Sequence, residues 1–149
     1  MAYPSIYDSS TTVRLHERID ALKPDSVPLW GKMTVAKMLR HCAVPYQQTH
    51  AAKGSWLIGT LAKLFFKSSM TNEVDYRKNL PTAKHFIVIE EPDFEEAKTQ
   101  LKSLIASRHG EGEQSYEGRS HTWLGNLTAR EWSNMLYKHL DHHLRQFGV

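Results

Sequence analysis

From Thr128 onward the sequence marks a helix at its start, along its buried face and at its end. Thr128-Ala129-Arg130-Glu131 has the form of a capping box, a hydroxyl at the cap and a carboxylate three residues later. Each side chain can satisfy a backbone N–H that the first helical turn leaves without a partner. Leu127 is placed to staple the approach, and Gly148 supplies the stop signal. Between them runs EWSNMLYKHLDHHLRQF. Each helical residue turns the side chain by about 100°. With Trp132 at zero, Leu136 falls at roughly 40°, His139 at roughly 340°, His143 at roughly 20° and Phe147 at roughly 60°. Two histidines therefore stand one turn apart in the centre of the apolar stripe, with His142 at its edge.

An imidazole has two ring nitrogens, and burying either without a partner costs free energy. One metal ion shared by His139 and His143 would satisfy one nitrogen of each, because residues four apart lie on the same helix face. HExxH sites use the same spacing, but Leu140 stands where that motif has its glutamate, so a zincin-type peptidase mechanism has no support. The alternative keeps the pair structural, hydrogen-bonded to backbone carbonyls, to Tyr46 or Tyr116, or to water. A metal ion needs a further ligand from another element, and His41 is the best placed. It follows Thr34, a cap for a helix with Val35, Met38, Leu39, Cys42 and Tyr46 at helical spacing, and it sits at the border of that stripe. Pro45 cannot donate to the His41 carbonyl and is expected to kink or end this helix. Three neutral imidazoles leave coordination positions open, the pattern of catalytic rather than closed structural sites. An ion so held can lower the pKa of bound water or take a thiolate.

The rest of the chain also reads as helical. Asp8, Ser9 and Ser10 are caps for a first helix through VRLHERIDALK, ending near Pro24. The stretch from Gly54 to Met70 is too apolar for an exposed loop and reads as a helix or two helical pieces, loosened by Gly54 and Gly59. Residues 71–82 look irregular, and HFIVIEE is either extended or a buried connector. A further helix starts at Glu91-Pro92-Asp93, carries Phe94, Ala97, Leu101, Leu104 and Ile105, and stops at Gly110. Four clear helices with short or medium connections, and no repeat or linker, indicate one all-α domain over residues 1–149 with a bundle architecture.

Composition narrows the function. A net charge of +3 on 149 residues, with basic and acidic residues interleaved, is no nucleic-acid footprint. The longest apolar stretch is interrupted by Lys63 and is too short to span a bilayer. The single cysteine excludes an internal disulfide, and the polar N-terminus does not read as a signal peptide, so a cytoplasmic setting is expected. Neither a phosphate-binding glycine loop nor a serine nucleophile elbow is present.

The segments LWGKMTVAKMLRHC and HTWLGNLTAREWSNMLYKHLDHHLRQFG resemble a family within the DinB-like, YfiT-like superfamily of metalloenzymes. The resemblance covers nearly the whole chain in element order. One histidine in the second helix, then H-x-x-x-H in the last, matches His41, His139 and His143. The resemblance implies a four-helix bundle of up-down-down-up type with an ion between helices at one end. It implies zinc or nickel, with iron or manganese in other members. It also implies thiol-dependent chemistry, because that group includes bacillithiol transferases and mycothiol-dependent isomerases.

The function expected is that of a divalent-metal-dependent enzyme that transfers a low-molecular-weight thiol to a small electrophile or hydrolyses a small substrate. The alternative is a non-enzymatic metal-binding or stress-related protein acting through a partner surface. His142 and His121 are weaker candidates, beside the metal ligands or at the mouth of the cleft. Cys42 reads as a small core hydrophobe. Trp30, Trp123 and Trp132 read as core or cleft walls, and Lys37 and Arg40 as a solvated face or an attraction for anions. No catalytic acid or base can be named. A homodimer through the apolar 56–66 segment is the partner expectation besides a small molecule.

Overall fold

The described residues of the computed structural model are 2–47, 60–81 and 87–149. Among them the chain forms five α-helices: α1 Ser9–Asp20, α2 Val35–Gln47, α3 Thr60–Thr71, α4 Phe94–Glu111 and α5 Ala129–Gln146. A 3₁₀ turn, Glu113–Tyr116, and an antiparallel hairpin of β1 Ser120–His121 and β2 Gly125–Asn126 lead from α4 into α5. The architecture is mainly helical, as its hydrophobic spacing predicts. The hairpin has only two residues per strand, too few for a period-2 pattern to show in the sequence.

Local chemistry sets the helix ends. The Thr128 hydroxyl accepts from Glu131 N at 3.1 Å, and Thr128 N donates to the Glu131 carboxylate at 2.9 Å, so the capping box forms in full. Asp93 caps α4 by accepting from Glu96 N at 2.8 Å. Glu95 and Glu96 in its first turn and Arg108 and His109 in its last complement the helix dipole. Helix α4 runs past Gly110, the expected stop, and ends at Gly112, whose φ of +74° is left-handed. Helix α2 runs two residues past Pro45. The proline forfeits one hydrogen bond near the end of the helix instead of terminating it.

The core joins Leu15 and Ile19 of α1 and Leu39, Cys42 and Tyr46 of α2 to Leu101 and Ile105 of α4 and Trp132, Leu136 and Leu140 of α5, all fully buried. Each large side chain so buried contributes about 1.5–3 kcal/mol of transfer free energy. Helix α2 packs on both α4 and α5, α1 packs on α4, and α3 packs on α5. Polar bonds tie α3 down. Lys138 donates to the Ser69 carbonyl at 2.8 Å and to Asn72 Oδ1 at 2.8 Å, and Asn134 donates to the Thr71 carbonyl at 2.9 Å. A cation at the C-terminal turn of α3 meets the carbonyls that the helix leaves open.

Of the expected 54–70 helix, α3 supplies the part from residue 60; Gly54 and Gly59 lie outside the described residues. So do residues 56–59 of the 56–66 segment expected to form a dimer contact, and the side chains of 60–65. Of HFIVIEE, His85 and Phe86 lie outside. Residues 87–91 join no strand, and Ile89 is 84% exposed, so that part is neither a ladder strand nor a buried connector. No helix among the described residues is long and apolar enough to cross a membrane.

Candidate metal centre

Two helices bring the three expected ligands together. Helix α2 supplies His41, which is buried beside Leu39 and Cys42. Helix α5 supplies His139 and His143, one turn apart. The buried face of α5 drifts along its length, because Trp132, Leu136, Leu140 and Leu144 are spaced by four and each step gains about 40°. The two histidines therefore stand at the margin of the core rather than at its centre, and both are partly exposed. That corrects the wheel expectation, which centred them in the stripe.

The three rings form a nearly equilateral triangle, with centroids 4.7 Å apart for His41–His139, 4.7 Å for His41–His143 and 4.8 Å for His139–His143. His41 Nε2 and His139 Nε2 are 2.9 Å apart. One ring nitrogen from each residue lies within 4.8 Å of the others. An ion bound at about 2.0–2.1 Å holds its imidazole nitrogens roughly 3 Å apart. The His41–His139 pair already stands at that spacing.

The electrostatics fit a cation. Burial holds His139 well below the ordinary histidine range, and the neighbouring His143, His41 and His142 rings add to the effect. Burial, with His41 beside it, pushes His143 down to about 4. Both are neutral at neutral pH, the state a metal requires. Among the described residues His139 Nδ1 is buried with no hydrogen-bond partner, and its Nε2 meets the His41 imidazole. The expected structural partners are engaged elsewhere: Tyr46 donates to the Leu136 carbonyl at 3.4 Å, and Arg108 donates to Tyr116 at 3.4 Å. Three neutral nitrogen donors suit zinc, nickel or iron better than magnesium or calcium.

His142 borders the cluster. Its ring centroid lies 5.3 Å from that of His143, 5.7 Å from Trp30 and 5.8 Å from Tyr76. His121 is not brought to the cluster. Its Nδ1 accepts from the backbone N–H groups of Trp123 and Leu124, and its ring packs 5.3 Å from Trp132. Trp132 is two turns before His139, roughly 10 Å along α5. Cys42 is fully buried, its thiol donates to Met38 Sδ at 3.7 Å, and burial pushes its pKa up, so it is core. Lys37 pairs with Glu91 at 3.6 Å and Arg40 with Glu96 at 3.2 Å, which makes them a solvated surface.

Sequence reasoning missed Gln146. Its Oε1 lies 2.8 Å from His143 Nδ1, and its Nε2 donates to the Trp30 carbonyl at 2.6 Å. The signal was present: Gln146 follows His143 by three, a spacing that puts both on one helix face.

Comparison with curated proteins and with solved structures gives no significant match. A family profile does match, over residues 8–148, and all three clustered histidines lie inside that span. The chain belongs to the family described as "Protein of unknown function (DUF1569)".

Proposed function

We propose that this protein is a divalent-metal-dependent enzyme in which His41, His139 and His143 hold one ion, zinc or nickel by preference. The observation that carries the proposal is the convergence of three imidazoles from two helices, with ring centroids 4.7–4.8 Å apart. When bound, such an ion supplies Lewis acidity and lowers the pKa of a water or thiol at an open position. The protein's part is to keep His139 and His143 neutral and to hold the three rings within reach of one ion. Trp30 and Tyr76 pack on His142, which borders His143, and these rings would orient a small electrophile.

The resemblance to DinB-like and YfiT-like proteins supplies the substrate class and the finer fold, a four-helix up-down-down-up bundle. A low-molecular-weight thiol would be transferred to the electrophile. The thiol proton leaves to solvent, sulfur forms the new bond to carbon, and the electrophile's leaving group departs with the old bonding pair. Cobalt-substituted protein tests this directly. On addition of cysteine or glutathione the wild type is expected to gain a thiolate-to-cobalt absorption band, and His139→Ala to gain none. A wild-type spectrum unchanged by any thiol overturns the thiol reading.

A non-enzymatic metal-binding role through a partner surface is favoured by one observation. Two shallow, adjoining surface hollows, about 320 and 490 Å³, lie against Met33, Lys37, Arg40 and the 87–92 segment, a surface that a partner would contact. Metal-dependent turnover of a thiol and an electrophile such as a chloronitrobenzene decides against that role; its absence in fully loaded protein decides for it.

A further inference from the structure

We infer that Gln146 is a positioning residue that selects Nε2 of His143 as the nitrogen presented to the ion; the inference rests on the metal reading above. The Trp30 carbonyl, 2.6 Å from Gln146 Nε2, can only accept a hydrogen bond. The amide must therefore present its NH₂ to Trp30, and its oxygen is left facing His143. That oxygen, 2.8 Å from His143 Nδ1, carries no proton, so the proton lies on Nδ1. A neutral His143 is then the Nδ1–H tautomer, with its lone pair on Nε2. Turning the amide over would set its oxygen against the Trp30 carbonyl, 2.6 Å away, with no proton between them.

The loop that fixes the amide is itself fixed. Leu29 N donates to the Gln146 carbonyl at 2.7 Å, so the 29–31 segment is clipped to the last turn of α5 by both the backbone and the side chain of Gln146. Gly31 has a φ of +81°, and a Cβ built on it would stand 2.7 Å from Gln146 Nε2. Only glycine lets the loop turn that tightly against the amide. Gln146 is 5% exposed, so bulk water does not replace it as the acceptor. An acceptor behind a metal-bound imidazole fixes the ring plane and raises the basicity of the ligating nitrogen, and its loss typically lowers metal affinity about 10–100-fold.

Two measurements on wild type, Gln146→Leu and Gln146→Glu test the inference. Nitrogen-15 NMR of the imidazoles in metal-free protein reads the tautomer, and competition against a chromophoric zinc chelator reads affinity. The wild type is expected to show His143 as the Nδ1–H form. Gln146→Leu is expected to lose that preference and bind zinc about 10–100-fold more weakly, still at one ion per chain. Gln146→Glu keeps an acceptor behind Nδ1 but loses the N–H that holds the Trp30 carbonyl, so it is expected to bind zinc more weakly than wild type and more tightly than Gln146→Leu. Circular dichroism checks folding; if Gln146→Leu does not fold, the wild-type tautomer and the glutamate variant decide. An Nε2–H tautomer in the wild type, wild-type zinc affinity in a folded leucine variant, or zinc loss in a folded glutamate variant equal to that of His143→Ala overturns the inference. A wild type that shows the Nδ1–H tautomer but takes up no zinc overturns the metal reading instead and leaves Gln146 as a structural clamp.

Discussion

The Nε2 atoms of His41 and His139 stand 2.9 Å apart although 98 positions separate the two residues in sequence. Two neutral imidazoles meeting through like atoms form one hydrogen bond at most, and His139 Nδ1 is buried without a partner among the described residues. A cation between the rings uses both facing lone pairs at once. That relationship, with His143 completing the triangle, is the basis for the metal centre.

Acid should unfold the metal-free protein early. Burial holds folded His143 and His121 down to about 4, against an ordinary value of 6.5, and shifts His139 in the same direction. As pH falls below about 6.5 the unfolded chain takes up these protons first, so stability present above that pH is lost progressively down to about 4. The slope approaches about 1.4 kcal/mol per pH unit for each such proton. Urea unfolding across this window should show a steadily falling midpoint; a midpoint independent of pH contradicts the burial described.

Thr128→Ala removes half of the α5 capping box and should cost about 1 kcal/mol in urea unfolding. Zinc affinity should not change, because His139 lies three turns further on, roughly 16 Å along the helix. A large loss of affinity would mean that α5 does not act as a rigid rod between its cap and the histidines.

Lys138→Met removes the ammonium that donates to the Ser69 carbonyl and to Asn72 Oδ1, leaving Asn72 Oδ1 with the Val74 N–H, and should destabilise by about 1–3 kcal/mol. Amide exchange in the last turn of α3 should accelerate more than exchange in α4, which Lys138 does not touch. Uniform acceleration would point to a global rather than a local effect.

Gly31→Ala and Gly118→Ala form a matched pair. Both place a side chain at a left-handed φ, +81° and +71°, and each should lose about 1 kcal/mol or more of stability. Only at Gly31 does the new Cβ meet Gln146; at Gly118 nothing lies within 4 Å. Zinc affinity should therefore weaken in Gly31→Ala alone. Equal affinity in the two variants would show that the Trp30–Gln146 clip does not reach the metal.

Much of this arrangement was legible in the sequence because it is helical and local. The Thr128 capping box, the four-residue spacing of His139 and His143, and the placing of His41 at the border of the α2 stripe all follow from a 100° step. The centring of the histidines did not, because a row spaced by four drifts around the helix and carries the buried face with it. Gly110 was read as the end of α4, yet Gly112 is the one that takes the left-handed φ; both are glycines, and the sequence alone does not choose between them. His121 looked like a mouth residue by its neighbourhood, but its Nδ1 is satisfied by the hairpin's own backbone. The spacing of Gln146 from His143 is visible in the sequence, but its hold on the Trp30 carbonyl, a backbone atom, is encoded in no side-chain pattern.

The most direct test of the central claim is elemental analysis of the untagged protein beside His41→Ala, His139→Ala and His143→Ala variants, each purified and then offered zinc and nickel. The wild type should carry one ion per chain, and each variant should lose it or hold it far more weakly while keeping its helical circular-dichroism spectrum. A wild type that takes up no zinc or nickel, or one whose metal survives all three substitutions, contradicts a centre at these histidines.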